Sequence, residues 1–348
     1  MKLLNICDPS LYGQPAMDVP TLYQRFARDP RLEFFHVPIE SVVEADQIEV
    51  VAVPERLTYS DFLHLDMQPR LQRPLVDFDL VFCRRLKPFP EGYLELLSYW
   101  ARYTRFLNNP ADKWAQIQPD FLQKVAKAYL PDTLVTSNLA EATAFFEQHQ
   151  TIVAKRANSC GGRGVFKIWC AHQSFWIDNC LTGTRSFESL AQVLQYLQGN
   201  DSEPLQFVRY LNSVTAGDKR VVVVDGEIYG AYIRRSKSGY WVNNVSVDGE
   251  CELADISSAE REAIEQTAGL YRDRNLHTLG YDFLLDDDGT WKISEINVGN
   301  IGGFARLEAL TGERVCDRFI NWMINFTQRS SNLKEPSLKS QAAYLSHS

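Results

Sequence analysis

The stretch YDFLLDDDGTWKISEINVGNIGGF, residues 281–304, holds two apolar runs on either side of Asp288-Gly289. Aspartate and glycine tolerate the positive φ that both central positions of a two-residue type I′ turn require, so the pair predicts a hairpin. Counting outward from that turn, 287 faces 290, 285 faces 292 and 282 faces 295. Directly opposed residues point to the same face of a sheet. Asp282 and Glu295 therefore meet, and Asn297 lies on the same face one step along. Two carboxylates and an amide oxygen converge with no basic residue among them. Opposed like charges destabilise a strand pair. A hard divalent cation removes the conflict, and magnesium takes such oxygens together with phosphates. The ordinary alternative is a surface hairpin with solvated acids, because short motif matches are cheap. These acids, however, lie within apolar strands and not in the turn.

A second phosphate-type feature is AKRANSCGGRGVF, residues 154–166. Lys155 ends one apolar run, and glycines follow six, seven and nine residues later, before another run begins. Glycines let backbone N–H groups approach phosphate oxygens, and a lysine adds a point charge. This is neither a G-x-x-x-x-G-K-[ST] loop nor a G-x-G-x-x-G opening a helix. The glycines lie between two strands, like a flap, and taken alone the run reads as an ordinary glycine-rich hairpin. A third cluster is AGDKRVVVVDGE, residues 216–227, where Arg220 leads a buried strand and Arg234-Arg235 close its hairpin partner. Arginines at strand ends are usually solvated. Near a magnesium–phosphate site they suit a transferring phosphoryl group or an oxyanion.

Around these motifs the chain has 348 residues, too many for one typical core. A net charge of −8 argues against a general nucleic-acid or membrane-surface binder. Seven scattered cysteines with no C-x-x-C spacing predict reduced thiols in a cytoplasmic protein. No run approaches the ~20 apolar residues of a membrane helix. KLLNIC (2–7), EVVAVP (49–54) and LVDFDLVFC (75–83) read as strands, and Tyr93 to Phe106 has helical spacing, together an open α/β domain. Helix signals cover 112–128, and Ser137 or Asn138 caps a helix to about 149. TIVAK (151–155) and GVFKIW (164–169) are strands, and ESLAQVLQYLQG (188–199) is an amphipathic helix, making a small α+β block. From 205 the chain is β-rich: LQFVRYL, KRVVVVDGEIYGAYIRR with a turn at Asp225-Gly226, and WVNNVSV. Ser257 with Glu260 forms a capping box for a helix over 258–274. The Ser- and Lys-rich tail after Gln328 reads as disordered.

In this order, these residues resemble the ATP-grasp superfamily, in particular prokaryotic glutathione synthetase. VRYLNSVTAGDKRVVVVDGE (208–227) looks like that family's Y-L-P…G-D-K-R-V-L-V-V-D-G-E segment. LGYDFLLDD…WKISEINV (279–298) looks like its G-x-D…L-x-E-I-N-V segment. RRLKPF (84–89) resembles its R-K-D-P-P-F loop, NNPADK (108–113) its N-x-P…K element, and PDTLVT (131–136) its P-x-T-L-V-T strand. The likeness spans residues 1–325 and is strongest over 205–298. It implies an N-terminal open α/β domain (1–125), a central α+β lid (126–204), a C-terminal antiparallel-sheet domain (205–328) and a tail (329–348). Lys113 and Lys155 would contact ATP phosphates beneath the flap glycines Gly161 and Gly162. Arg209, Tyr210 and Leu211 would present backbone to adenine, with Asp218 near the ribose. Asp282, Glu295 and Asn297 would hold two magnesium ions, or manganese in their place, and Arg220 would stabilise the phosphoryl-transfer and tetrahedral states. The reaction implied is phosphorylation of a carboxylate, then attack of an amine on the acyl phosphate. No nucleophilic side chain is required, so Cys160 need not be catalytic. Homo-oligomers, dimers or tetramers, are the family's habit.

The substrate-facing loops depart from the pattern. The family follows E-I-N-V with T-S-P-T-x-I-R, where this chain has GNIGGFAR, with Gly302 and Gly303 loosening the backbone and Arg306 displaced. The family's R-G-N-L-A-A-G-G is here WVNNVSVDG, in which only Asn244 matches, and Leu86 replaces the aspartate of R-K-D-P-P-F. Arg84, Arg235 and Arg306 are the expected substrate anchors. The leading expectation is a ligase joining γ-glutamylcysteine to glycine. The alternatives are a ligase for another amino acid, peptide or protein, and a non-catalytic nucleotide-binding regulatory protein. The intact trio with Arg220 favours an enzyme.

Overall fold

The computed structural model describes residues 1–157, 159–199, 203–243 and 250–331. Two compact units emerge. The first contains Met1–Cys83, Trp100–Phe106 and the described chain from Phe304; the second contains Arg84–Tyr99 and Leu107–Gly303.

In the first unit the apolar strand Lys2–Ile6 pairs in parallel with Glu33–Val37 on one side and Leu80–Cys83 on the other. Gln47–Ala52 and then Leu71–Pro74 extend the sheet in antiparallel fashion. This is the open α/β sheet that the sequence predicts. Helix Asp18–Arg28 packs on it through Tyr23 and Phe26, whose rings lie 5.0 and 5.4 Å from that of Phe34. The run 75–83 is only half strand: Leu75–Asp77 makes a single tight turn after Pro74 before Leu80–Cys83 begins.

The second unit carries two sheets. One has six strands in the order Gly183–Phe187, Ser174–Asn179, Val165–Ala171, Thr151–Lys155, Leu205–Arg209, Thr133–Thr136. Helices Leu139–His149 and Leu190–Gln198, capped by the side chains of Asn138 and Ser189, bury Phe146, Val193 and Leu197 in its core. Ser174–Asn179 and Gly183–Phe187 escape sequence reading. The latter, GTRSF, is mostly exposed and has no apolar alternation.

The other sheet is wholly antiparallel, in the order Glu250–Leu253, Glu227–Arg235, Asp218–Val224, Thr278–Leu285, Trp291–Asn297. Its central strand, DKRVVVV, is buried at every position. Asp225 and Gly226 take φ of 54° and 86°, the expected turn. Helix Ser258–Arg272 starts at the Ser257/Glu260 capping box and covers one face with Ala263, Ile264 and Tyr271. Of the run WVNNVSV, only the first three residues are described. Trp241–Asn243 is irregular, Asn244 and its successors lie outside the described residues, and Glu250–Leu253 forms the edge.

The helices differ from the sequence reading in three places. The helix from Tyr93 ends at Trp100, and helix Val315–Ser331 passes Gln328, beyond which the tail leaves the described residues. The 112–128 signal is two helices, Pro110–Ile117 and Phe121–Ala126. Pro119 forces Gln118 to an extended ψ of 134°, which ends the first.

Asn108 locks the second unit. Buried to 2%, it donates to the carbonyls of Thr278 (2.9 Å) and Val298 (2.8 Å) and accepts from the amides of His277 (2.7 Å) and Thr278 (3.0 Å). Its neighbour Asn109 only caps helix Pro110–Ile117. Removing Asn108 leaves several buried backbone groups unpaired, so Asn108→Ala is expected to lower unfolding free energy by about 3 kcal/mol. Asn109→Ala should lose about 1 kcal/mol. Urea unfolding at constant m-value measures both, and equal losses would remove the clamp from this account.

Candidate active site

The five-stranded sheet sets its charged residues by register. Asp218 opposes Arg234, and Arg220 opposes Tyr232 on one side and Asp282 on the other. Asp282 in turn opposes Glu295. Opposed residues share a face, so these side chains converge, while Lys219 points to the other face and pairs with Glu260 at 2.7 Å.

The convergence differs from the sequence reading in one respect: basic residues stand among the acids. Arg220 forks onto Asp282, with Nε to Oδ1 at 2.5 Å and a terminal N–H to Oδ2 at 2.7 Å. Arg234 reaches Asp218 at 2.5 Å and Asp282 at 2.7 Å. Asn297 donates its Nδ2–H to Asp282 at 2.9 Å, which leaves its own Oδ1 as an acceptor. Lys155 donates to the Ser294 carbonyl (3.0 Å) and hydroxyl (3.1 Å). Burial pushes the Asp282 carboxyl upward, but the Arg220 and Arg234 guanidiniums outweigh it and hold the group below its ordinary value. Asp218 is pushed up to about 6, because burial outweighs Arg234 and Asp282 adds repulsion. Burial lowers Lys155 against the opposing pull of Glu295, Asp218 and Asp282.

Two bulges set this arrangement. In the Asp225-Gly226 hairpin the register slips between Val222 and Val223, so that Asp218 meets Arg234. Without the slip, Ile233 would stand there. In the second hairpin the turn is longer than a two-residue turn, because Asp286 bonds back to Thr290, and Leu285 meets Trp291 instead of residue 292. A bulge beyond Asp282 restores the count, and Asp282 meets Glu295 as predicted.

The face opens into a cavity of about 350 Å³. Lys113, Lys155, Gly161, Gly162 and Asp218 line it, as do Arg209, Tyr210 and Leu211. So do Arg220, Asp282, Glu295 and Asn297. Lys113 is buried on helix Pro110–Ile117. Arg209 spends its guanidinium on Asp286, with both carboxylate oxygens at 2.8 Å. Gly161 and Gly162 adopt φ of 64° and 74° in the flap. Asn179, 1% exposed, holds that flap from below through the carbonyls of Arg163 (3.0 Å) and Val165 (2.8 Å).

The expected substrate anchors are placed otherwise. Arg84 is 1% exposed and donates to the Ile301 carbonyl at 2.5 Å, so its side chain supports a loop and does not line the cavity. Arg235 lies off the cavity, bonded to the Ala216 carbonyl (2.9 Å) and Glu252 (2.5 Å). Arg306 belongs to the first unit, and Asn244 is outside the described residues. Gly302 and Gly303 also miss the lining. Gly302 gives its carbonyl to Arg220 at 3.2 Å. At Gly303 (φ 128°) a Cβ would come 2.5 Å from the Val222 side chain. The loop is therefore held, not loosened. Arg85, Lys87, Trp241, Asn243 and Asn300 line the cavity instead, and sequence reading passed over all of them. The motif RRLKPF contained two of them. The missing signal was which arginine faces inward.

The donor chemistry fits a hard cation. The Glu295 carboxylate accepts no hydrogen bond from a described residue, and Asn297 keeps a free oxygen beside it. Asp282 is shared with two guanidiniums.

The family profile described as prokaryotic glutathione synthetase, ATP-grasp domain, matches residues 121–312. The glutathione synthetase of Prochlorococcus marinus is 28% identical over 92% of this chain and 97% of its own. That of Synechococcus elongatus is 29% identical over 72% of each chain. Among solved structures, D-cycloserine synthetase DcsG superposes with a TM-score of 0.60 at 13% identity over 91% of this chain and 98% of its own. The ATP-grasp ligase PsnB does so with 0.57 at 15% over 93% and 98%. These likenesses show the ATP-grasp fold. No described helix is long and apolar enough to cross a membrane. With more than half of its length matched and its charged strands meeting in one cavity, the chain belongs to the prokaryotic glutathione synthetase family of ATP-grasp enzymes, ATP- and magnesium-using ligases that form amide bonds.

Proposed function

We propose that this ligase joins the carboxylate of γ-glutamylcysteine to the amine of glycine through an acyl phosphate. The observation that carries the reading is the cavity in which Lys113, Lys155, Arg220 and Arg234 stand beside Asp282, Glu295 and Asn297. Lys113 and Lys155 bind phosphate oxygens of ATP. The substrate carboxylate oxygen takes the γ-phosphoryl group, and ADP leaves. The amine then attacks the acyl carbon, Arg220 stabilises the oxyanion, the amine loses a proton, and phosphate departs as the amide forms. Magnesium, held as two ions by Glu295, Asn297 and Asp282, would neutralise phosphate charge; manganese would serve, since every ligand is a hard oxygen. The flap from Lys155 to Val165 excludes water from the acyl phosphate, acting within a lid of 126–204 between domains of 1–125 and 205–328. The seven free cysteines support a reducing cytoplasmic setting, and the family's habit supports a homodimer or homotetramer.

Arg85 and Lys87 replace Arg84 as candidate anchors for the substrate's carboxylates, because both line the cavity. Arg85 already lies over the Tyr93 ring at 4.4 Å, which orients its fork. A ligase for another acid or peptide is the second reading. It is favoured by the rewritten loop that offers Gly299, Asn300 and Ile301 to the cavity.

Glu295→Gln should abolish turnover while the melting temperature stays near wild type, and near-normal activity would remove Glu295 from the metal site. Asn179→Leu should make the flap cleavable by protease even with a non-hydrolysable ATP analogue present; unchanged protection would deny Asn179 its hold. ADP release across a panel of amino acids and dipeptides tests the substrate. γ-Glutamylcysteine with glycine should drive it, and silence at millimolar concentration would eliminate glutathione synthesis. Arg85→Ala should lower kcat/KM for the carboxylate substrate by about 2 kcal/mol, roughly 30-fold, and leave KM for ATP in place. A rise in KM for ATP alone would turn that loop away from the substrate.

A further inference from the structure

The first unit contains a cavity that no step of the ligase reaction uses. It measures about 810 Å³ and is lined by Arg25, Arg28, Arg31, Arg314 and Arg318, with Asp29 and Asp317 the acids in its wall. The arginines form two ridges. Arg25, Arg28 and Arg31 are spaced by three along and just beyond helix Asp18–Arg28, and Arg314 and Arg318 by four at the start of helix Val315–Ser331. Residues three or four apart share a helix face. Five guanidiniums on one cavity stand out in a chain of net charge −8.

Part of that charge is structural. Arg25 bridges Glu308 (2.6 Å) and Asp317 (2.9 Å) and so ties helix Asp18–Arg28 to helices Phe304–Thr311 and Val315–Ser331. Arg314 pairs with Asp317, and Arg31 with Asp29, each at 2.5 Å. In the cavity wall the five arginines stand against Asp29 and Asp317, with Glu308 against Arg25. Arg28 is exposed at the end of its helix and pairs with no acid among the described residues. Guanidiniums fixed by their own ion pairs are pre-organised and lose little freedom on binding. Their forks match the oxygens of phosphate.

We infer that this arginine-lined cavity is a second binding site, for a phosphate-bearing small anion, independent of the amide-forming site. Calorimetric titration of the full chain at low ionic strength tests it. Inorganic phosphate and pyrophosphate are the probes, and citrate is a carboxylate of comparable charge. Pyrophosphate should bind saturably, and Arg28→Ala should weaken that phase at least tenfold without altering the melting temperature. Arg318→Gln should weaken it as well, while Arg73→Ala, an exposed arginine away from the cavity, should not. If phosphate binds through the same phase, its ratio to pyrophosphate reports whether one or two phosphate groups are held. Isotherms unchanged by both Arg28→Ala and Arg318→Gln would overturn the site. Citrate binding as tightly as pyrophosphate would overturn its phosphate class. Any pyrophosphate bound in the ligase cavity persists in Arg28→Ala, so failure here leaves the proposed ligase function untouched.

Discussion

The Asp282 carboxylate, clasped between Arg220 and Arg234 on the buried face of the central strands, is the contact on which the active-site architecture rests. Burying an ion is expensive unless geometry and further hydrogen bonds compensate, and removing one partner of a buried pair is strongly destabilising. Here Asp282 accepts from two guanidiniums and from Asn297, which satisfies most of its lone pairs. The same bonds fix the rotamers of Arg220, Arg234 and Asn297, so that these side chains are pre-oriented in the cavity wall. The charges around the face nearly balance. Lys155, Arg220 and Arg234 stand against Asp218, Asp282 and Glu295, and burial still lifts Asp218 to about 6.

Most of this was legible in the sequence because strand registers follow from turns and periodicity. KLLNIC, the Asp225-Gly226 turn, the Ser257/Glu260 box and the Asp282–Glu295 meeting all appear where local rules put them. The rules failed at bulges. A count from Asp288-Gly289 reached Asp282 and Glu295 only because a longer turn and a bulge cancel. In the neighbouring hairpin nothing cancels the bulge, so the residue facing Asp218 is Arg234. A bulge is one residue of slack in a ladder, and no local preference of Val222 or Val223 announces it. The adjacent pair Arg234-Arg235 therefore could not be divided into inward and outward members from sequence.

The same limit explains the anchors. Arg84 and Arg85 are alike in chemistry, and only packing decides that Arg84 enters the protein to reach the Ile301 carbonyl while Arg85 lines the cavity. Asn108 and Asn109 repeat the pattern. One clamps strand ends through four backbone groups, and the other caps a helix. Where a motif doubles a residue type, sequence names the chemistry and the fold assigns the roles.

The loop 299–303 shows how a substrate pocket changes without disturbing the machinery beneath it. Arg84 holds the Ile301 carbonyl, Arg220 the Gly302 carbonyl, and Asn300 returns a bond to the Arg84 carbonyl at 2.7 Å. Two of these three bonds are aimed at the loop's backbone, which every residue supplies. Side-chain size is dictated at Gly303, pressed against Val222 and Tyr232, and at Ile301, which is buried. Gly299, which carries neither such a bond nor a buried side chain, can then change while the backbone path persists. The charged cluster has no such freedom, because Asp218, Arg220, Arg234 and Asp282 are each fixed by sheet register and by a partner's charge. An enzyme built this way can vary the side chains of that loop while the charged cluster beneath it stays in place. That is why the strands that carry the charged cluster keep their resemblance to the family pattern and the loop after Asn297 departs from it.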